Sequence, residues 1–130
     1  MDFLNKYISI PYKDHGLDFE GVNCWGLLYL IYLTECGIMV PTYVEDYASS
    51  EDEIELSQLI NQEKVKWLEV KTPHKFDAIL IRLKGQPMHC GVYLDDGLFI
   101  HCLKGSNVTI ENINSVMWKN RILGYYRYEK

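Results

Sequence analysis

Apolar residues dominate two parts of the chain in different patterns, and these patterns predict different elements. Residues 24–33 are apolar on nearly every side of a helix, which is typical of a buried central helix. Asn23 before them is a good N-cap residue, and Gly37 after them supplies a stop. Residues 2–8 carry apolar side chains on one side only and predict a short first helix.

A surface helix is predicted between the central helix and the second half of the chain. Ser50 and Glu53 have the spacing of a capping box, and the acidic first turn suits the helix dipole. Over 51–61 the apolar residues can face inward while the remaining positions are polar. We therefore expect a solvated helix with no chemistry of its own.

From Trp67 onward, runs rich in Ile, Val, Leu and Tyr are separated by Pro, Gly, Asp and Asn, which predicts strands and turns. The predicted strands are 67–71, 77–83, 88–94, 98–103, 107–111 and 121–128. Asp77, where a strand starts, is expected to stabilise a turn. Helices followed by a run of strands are typical of an α+β domain with an antiparallel sheet. The chain has 130 residues and no repeat or linker, so a single domain over 1–130 is predicted.

Charge and hydropathy exclude two classes of partner. The net charge of −5 argues against nucleic acid. The longest apolar run, 25–33, is too short to span a bilayer, so no membrane partner is expected. Residues 1–6 lack a basic segment followed by an apolar stretch, and we expect synthesis in the cytoplasm without a signal peptide.

The four cysteines form no CxxC pair and are expected to stay thiols in a reducing compartment. Cys24 has a distinctive position because it opens the central helix, where the backbone N–H groups have no internal partner and favour negative charge. A thiol in this place has a lowered pKa, and the thiolate is the attacking species. The same N–H groups could stabilise an oxyanion. Most such cysteines are nevertheless small buried apolar residues, so a nucleophile here needs a base.

His89 and His101 are the candidate bases, and they lie on predicted strands that flank the turn Asp95-Asp96-Gly97. The turn length decides whether the two side chains share one face of the sheet. A three-residue loop puts Gly91 opposite His101 and makes the histidines diagonal neighbours. A two-residue loop puts them on opposite faces, because the strand period is two. We predict the three-residue loop, with Leu94 paired to Leu98 and open space at Gly91.

Two alternatives stay open at this point. Both histidines could be half-buried sheet residues with ordinary hydrogen-bond partners. Zinc is the other alternative, but His89 and Cys90 point to opposite faces, as do His101 and Cys102, so one metal could not collect both pairs. A mixed set of Cys24 and two histidines remains open. Our prediction contains no metal and no cofactor.

Several segments together resemble the NlpC-type cell-wall peptidases, a papain-like family with the catalytic order Cys, His and a polar third residue. The Pro-Tyr pair in 7–12 resembles the segment before the nucleophile, and Val-Asn-Cys-Trp-Gly-Leu at 22–27 resembles the nucleophile motif. Residues 76–80, 88–94 and 99–101 resemble the three strands that follow, including the His-x-Gly-Ile-Tyr-Leu strand. The match covers nearly the whole chain.

This resemblance implies a papain-like fold with the nucleophile helix packed on an antiparallel sheet of about five to six strands. It implies that Cys24 is the nucleophile, His89 the general base and acid, and His101 the orienting residue. Tyr12 matches the tyrosine whose hydroxyl lies near the active site. The implied enzyme is a hydrolase whose partner is the peptidoglycan peptide stem, in which it cleaves an amide bond.

Two departures from the family pattern affect the expected substrate and context. Asn23 and Trp25 replace the usual Asp and Ser around the nucleophile, in the region expected to border the substrate and the oxyanion. The Cys-Trp-Gly-Leu variant is similar to small phage-tail members, which implies a virion-associated enzyme, tail-tip partners and delivery to the cell wall. A Cys-dependent amidase or acyltransferase toxin and an inactive structural tail component are the alternatives.

Overall fold

The computed structural model describes residues 2–40, 67–83 and 86–128. The helical elements are a 3₁₀ helix (Asp2–Lys6), α1 (Cys24–Ile31) and a π-helical turn (Tyr32–Cys36). The strands are β1 (Leu17–Asp18), β2 (Gly21–Val22), β3 (Trp67–Val70), β4 (Ala78–Leu83), β5 (Gln86–Asp95), β6 (Leu98–Cys102), β7 (Val108–Asn112) and β8 (Ile122–Tyr128). The surface helix predicted over 51–61 lies outside the described residues.

Within these residues the long strands form one antiparallel six-stranded sheet in the order β3-β8-β4-β5-β6-β7. Helix α1 packs against β5 and β6 near the middle of this sheet. The predicted α+β architecture is therefore confirmed. The predicted strand bounds differ from the observed ones by no more than two residues.

Helix α1 begins and ends as the sequence indicates. The Asn23 side chain accepts a hydrogen bond from the Gly26 N–H at 2.7 Å, which is the expected N-cap contact. All residues of α1 except Tyr29 are buried, in agreement with the all-round apolar pattern. The helix then widens into the π-helical turn, which ends at Gly37. The φ of Gly37, 67°, lies in the left-handed region that glycine tolerates.

The loop before α1 contains a structure that the sequence pattern did not predict. Strands β1 and β2 form a small hairpin there, where a polar loop was expected. This hairpin region lies directly against the helix, because a Cβ atom on Gly26 would stand 1.8 Å from the Gly16 carbonyl oxygen. The glycine two residues after Cys24 is therefore needed for the loop to approach the helix start.

Asp77 stabilises the turn before β4, as predicted. Its buried carboxylate accepts a hydrogen bond from the His74 N–H at 2.6 Å. Arg127 on β8 donates two further bonds to it, from Nε at 2.9 Å and Nη2 at 2.7 Å. This two-bonded ion pair ties the start of β4 to its neighbouring strand β8.

Among the residues that the structure describes, one apolar cluster covers each face of the sheet. The larger one lies between α1 and the sheet and includes Cys24, Cys90 and Cys102. The smaller one lies on the other face around Phe99 and Trp118. None of the four cysteines, all of which lie among the described residues, takes part in a disulfide bond. None of the helices in the described ranges has the length and apolar character needed to cross a membrane.

Candidate active site

The β5–β6 hairpin has a two-residue loop, so the predicted three-residue loop is wrong. Asp95 pairs with Leu98, and the loop is Asp96-Gly97, with φ of 56° and 82°. Positive φ at both loop positions is typical of a type I′ turn. Asp-Gly favours this turn, and its twist matches that of the flanking strands.

A β-bulge on β5 restores the register that the loop alone would have lost. The pairing shifts between Tyr93 and Asp95, so that Leu94 is an extra residue on this strand. Before the bulge, Gly91 pairs with His101, as predicted. The expected placement of both histidines on one face is therefore confirmed, although a bulge and not a longer loop produces it.

The two histidines are in direct contact. His89 Nε2 lies 2.8 Å from His101 Nδ1, and both side chains are buried. The rings meet edge to face with their centroids 5.0 Å apart. The prediction of open space at Gly91 is wrong. A Cβ atom there would lie 3.0 Å from both the Ile100 carbonyl oxygen and the Phe99 ring.

The second nitrogen of His101 faces β7, where Nε2 lies 3.3 Å from Glu111 Oε2. Burial, followed by the charge of His89, lowers the pKa of His101 to about 3. His101 is therefore neutral near pH 7, and its contact with the partly exposed Glu111 carboxylate is a hydrogen bond and not an ion pair. We infer from this network that His101 Nε2–H donates to Glu111 and that its Nδ1 accepts from His89 Nε2–H.

Cys24 is the first residue of α1 and lies beside His89 and Cys90 of β5. The residue is 4% exposed. The pKa of the Cys24 thiol lies well below its usual range. The largest cause is the hydrogen bond from the Cys90 side chain, to which His89 adds a hydrogen bond and a Coulombic attraction, while burial opposes them. A thiolate is the reactive form of cysteine.

The contacts therefore run in one line from α1 to β7: Cys24, His89, His101 and Glu111. A nucleophile, a base and a group that orients the base are the parts of an acyl-transfer site. Among the residues that the structure describes, no three His, Cys, Asp or Glu side chains gather in a group that could hold a metal ion.

The other predicted site residues surround the start of α1. Asn23 is buried and its side-chain oxygen serves as the helix cap. Trp25 is fully buried, and its ring packs edge to face on Trp67 with centroids 5.8 Å apart, so its side chain is part of the core and does not border a substrate. Tyr12 bridges to Val22, and its hydroxyl donates to Asp14 at 2.6 Å.

Comparison with known proteins identifies the family. The NlpC/P60 family pattern matches residues 9–127. The chain belongs to the NlpC/P60 family. It is 26% identical over 125 residues to the gamma-DL-glutamyl hydrolase of Bacillus subtilis (strain 168), with 95% of this chain and 27% of that protein covered.

Two further likenesses agree with this NlpC/P60 assignment. The chain is 22% identical over 121 residues to the murein DD-endopeptidase MepS/murein LD-carboxypeptidase of Escherichia coli (strain K12), covering 93% of this chain and 57% of that protein. It therefore spans less than two thirds of the length of either relative. The crystal structure of the NlpC/p60 domain of the peptidoglycan hydrolase SagA has the same fold, with a TM-score of 0.62, 20% identity, and 97% and 92% of the two chains covered.

Two residues of this candidate site were not predicted from the sequence. Glu111 pairs with Phe99 and is therefore the diagonal neighbour of His101 on the same face, a position that the β6–β7 register could have indicated. Cys90 was predicted to point to the opposite face of β5 from His89. This is confirmed, because Cys90 lies in the core cluster between α1 and the sheet. Its contact with Cys24 depends on how the helix sits on the sheet, and no local pattern encodes this.

Proposed function

We propose that this chain is a cysteine peptidase that hydrolyses amide bonds in the peptide stems of peptidoglycan. The observation that carries the proposal is the line of contacts from Cys24 through His89 to His101, at the start of a buried helix. Family membership supports it, as do the names of the relatives, one a murein endopeptidase and one a glutamyl hydrolase.

In the first half of the reaction, Cys24 Sγ attacks the amide carbonyl carbon as a thiolate, and the carbonyl electron pair moves onto oxygen. The Cys24 N–H, which has no acceptor within the helix, can donate to this oxyanion. As the intermediate collapses, the C–N bond breaks and the His89 imidazolium gives its proton to the leaving amine. A thioester on Cys24 and a neutral His89 remain.

In the second half, His89 takes a proton from a water molecule that attacks the thioester carbonyl. Collapse of this intermediate breaks the C–S bond, releases the carboxylic acid and restores the thiolate and the imidazolium. His101 keeps its Nδ1 acceptor toward His89 Nε2–H at every stage, because its own Nε2–H is donated to Glu111. The contact fixes the ring of His89 with its other nitrogen toward Cys24.

Digestion of purified sacculi tests the proposal. The wild-type protein should release soluble fragments, and mass spectrometry of their new termini identifies the bond that is cleaved. Cys24→Ala should release none. Cys36→Ala, the same change in a half-buried cysteine at the other end of the helical segment, should release as much as wild type. Equal release by Cys24→Ala would overturn the proposal.

The same digest separates the competing functions. Intact sacculi, together with a Cys24 that reacts readily with thiol reagents, would favour a Cys-dependent amidase or acyltransferase of the same fold. Intact sacculi with an ordinary Cys24 thiol would favour a structural component that has kept only the fold.

We further propose that the chain is synthesised in the cytoplasm and incorporated into a phage tail or tail-like particle, with tail-tip proteins as partners and the cell wall as its destination. This proposal is supported by the resemblance of Cys24-Trp25-Gly26-Leu27 to phage-tail members. Proteomic analysis of purified particles from the source organism tests it. Recovery of the chain in intact particles would support the proposal, and its confinement to the cell extract would contradict it.

A further inference from the structure

The hydrogen bonds of His101 fix the direction of its ring but not the tilt of the ring. His101 Nδ1 faces His89 Nε2 at 2.8 Å, and His101 Nε2 faces Glu111 Oε2 at 3.3 Å. Hydrogen bonds to a ring nitrogen lie close to the plane of the ring, so the ring can still rock about the line that joins its two partners. The bond to Glu111 is also long, and the Glu111 side chain is 34% exposed. Other contacts are therefore needed to hold the ring in one orientation.

Two aromatic side chains meet the His101 ring. The Phe99 ring lies at 62° to it and the Trp118 ring at 90°, each with its centroid 5.0 Å away. Phe99 and Trp118 also pack on each other, at 5.6 Å and 86°, and edge-to-face contacts at these separations are favourable. Phe99 lies two residues before His101 on β6 and shares its face, whereas Trp118 belongs to the turn between β7 and β8. The fold, and not the local sequence, therefore brings Trp118 to His101.

The turn that carries Trp118 is held by backbone hydrogen bonds on both sides of this residue. The Trp118 N–H donates to the Ser115 carbonyl at 3.1 Å, and the Trp118 carbonyl accepts from the Arg121 N–H at 2.9 Å. The Arg121 carbonyl accepts in its turn from the Arg82 N–H on β4, at 2.8 Å. Val116 in the same turn is 86% exposed, while Trp118 is 1% exposed. The turn is thus anchored to the sheet and buries the indole against it.

The indole nitrogen of Trp118 takes no part in these contacts. Trp118 Nε1 is buried and has no hydrogen-bond partner among the residues that the structure describes. A buried donor without a partner costs about 1–3 kcal/mol. The contribution of Trp118 therefore comes from its aromatic ring, and phenylalanine at this position would supply a ring without that cost.

We propose that Trp118 is a positioning residue for the reaction: its ring fixes the tilt of His101 and keeps water away from it, so that His101 Nδ1 stays directed at His89. The proposal deepens the proposed function and rests on it, since His101 orients the general base. A water molecule that reached His101 would compete for the hydrogen bond from His89 Nε2–H. His89 would then be free to turn away from Cys24, and a misplaced base slows the chemical step more than it weakens substrate binding.

Nitrogen-15 spectra of the histidine rings test this proposal without a substrate. They show which ring nitrogen carries the proton, and the chain has four histidines, so His101→Gln identifies the signal of His101. We expect wild type to hold one neutral tautomer near pH 7, with the proton on Nε2, because the Glu111 carboxylate can only accept. Trp118→Leu keeps an apolar side chain but no ring, and should show a mixture of the two neutral tautomers. Trp118→Phe keeps a ring and should retain the single tautomer.

Turnover of soluble peptide-stem fragments provides the second readout. In Trp118→Leu we expect kcat to fall about tenfold while KM changes less than about twofold, since the lost effect is about that of one positioned hydrogen bond. Trp118→Phe should lose less than about threefold. Urea unfolding of each variant gives its folded fraction, so that rates are compared per folded molecule. Trp118→Met, whose flexible side chain adapts to the space of the indole, keeps the test open if the leucine protein fails to fold.

Tyr125→Leu is the matched control. Tyr125 on β8 belongs to the same apolar cluster as Trp118, and its ring packs edge to face on Tyr93 with centroids 6.4 Å apart. The substitution therefore removes a partly buried ring from the same face of the sheet but leaves the rings around His101 in place. It should lower the free energy of unfolding, while the His101 tautomer and kcat stay close to wild type.

The outcomes separate the two proposals. A single wild-type tautomer that is lost in the leucine and methionine variants, and kept in Trp118→Phe and Tyr125→Leu, supports the role of Trp118. The wild-type tautomer and kcat in the leucine and methionine variants would overturn it, as would an equal loss of the tautomer in Tyr125→Leu. If Trp118 controls the tautomer of His101 but wild type leaves both the fragments and the sacculi intact, the proposed function fails while the contact of Trp118 with His101 keeps its positioning effect.

Discussion

Acid should destabilise this protein through His101, and the size of the effect follows from the surroundings of this residue. The His101 ring is fully buried and meets the Phe99 and Trp118 rings with centroids 5.0 Å away in both cases. These neighbours cannot solvate an imidazolium. His101 Nδ1 accepts a hydrogen bond from His89, a role that a protonated Nδ1 could not fill.

The sign follows from the difference between the folded and unfolded pKa. Burial lowers the folded pKa of His101 to about 3, whereas an unfolded histidine titrates near pH ~6.5. Between these values the unfolded chain binds a proton that the folded chain refuses. The contribution of His101 to the free energy of unfolding is therefore fully present above pH ~6.5. It decreases as the pH falls toward about 3, by up to ~1.4 kcal/mol per pH unit. Between about pH 7.5 and pH 5 the loss is about 2 kcal/mol.

Urea unfolding at several pH values, followed by the fluorescence of the three tryptophans, measures this loss. The informative variant is His101→Gln, because its amide can accept from His89 and donate to Glu111 but does not titrate. It should lose about 2 kcal/mol less than wild type over the same pH range. His74→Gln, at an exposed histidine, should behave like wild type. Equal acid sensitivity in wild type and His101→Gln would refute the reasoning.

Two stability predictions follow from other contacts of the fold. Gly26→Ala would gain up to ~1 kcal/mol in helix propensity, but its Cβ would meet the Gly16 oxygen at 1.8 Å, and overpacking costs about 1–3 kcal/mol. Because the clash at 1.8 Å is with a backbone atom, the cost should lie at the upper end, about 3 kcal/mol, so that urea unfolding shows a net loss of about 2 kcal/mol. Gly37→Ala, where only the left-handed backbone is strained, should lose about 1 kcal/mol. A more stable Gly26→Ala would contradict this. Arg127→Ala removes two donors from the buried Asp77 carboxylate and should cost about 2 kcal/mol, so an unchanged unfolding midpoint would count against this role of the ion pair.

The sequence was sufficient for the main elements because their signals are local. An all-round apolar segment preceded by Asn23 and followed by Gly37 predicts the buried helix and both of its ends. Short runs of β-branched and aromatic residues between turn residues predict the six long strands. The β1–β2 hairpin was missed because each of its strands has only two residues, too few to show alternation.

The geometry of the candidate site depends on tertiary packing, so the sequence predicts it less completely. The shared face of His89 and His101 was predicted on the assumption of a three-residue loop, whereas the bulge at Leu94 produces it. A bulge adds one residue to a strand without a clear sequence signal. The contacts of Cys90 with Cys24 and of Glu111 with His101 join residues from different elements, so they appear only once the helix and strands are assembled.

The central claim is that the sulfur of Cys24 forms a covalent bond with the substrate. An activated ester of a peptide-stem amino acid tests it most directly, because a good leaving group departs without acid catalysis and lets the thioester accumulate. The protein is quenched in acid, digested, and mapped by mass spectrometry. We predict one acyl group on the peptide that contains Cys24, and no adduct or turnover in Cys24→Ala. An adduct on another residue, or turnover by Cys24→Ala at the wild-type rate, would contradict the claim.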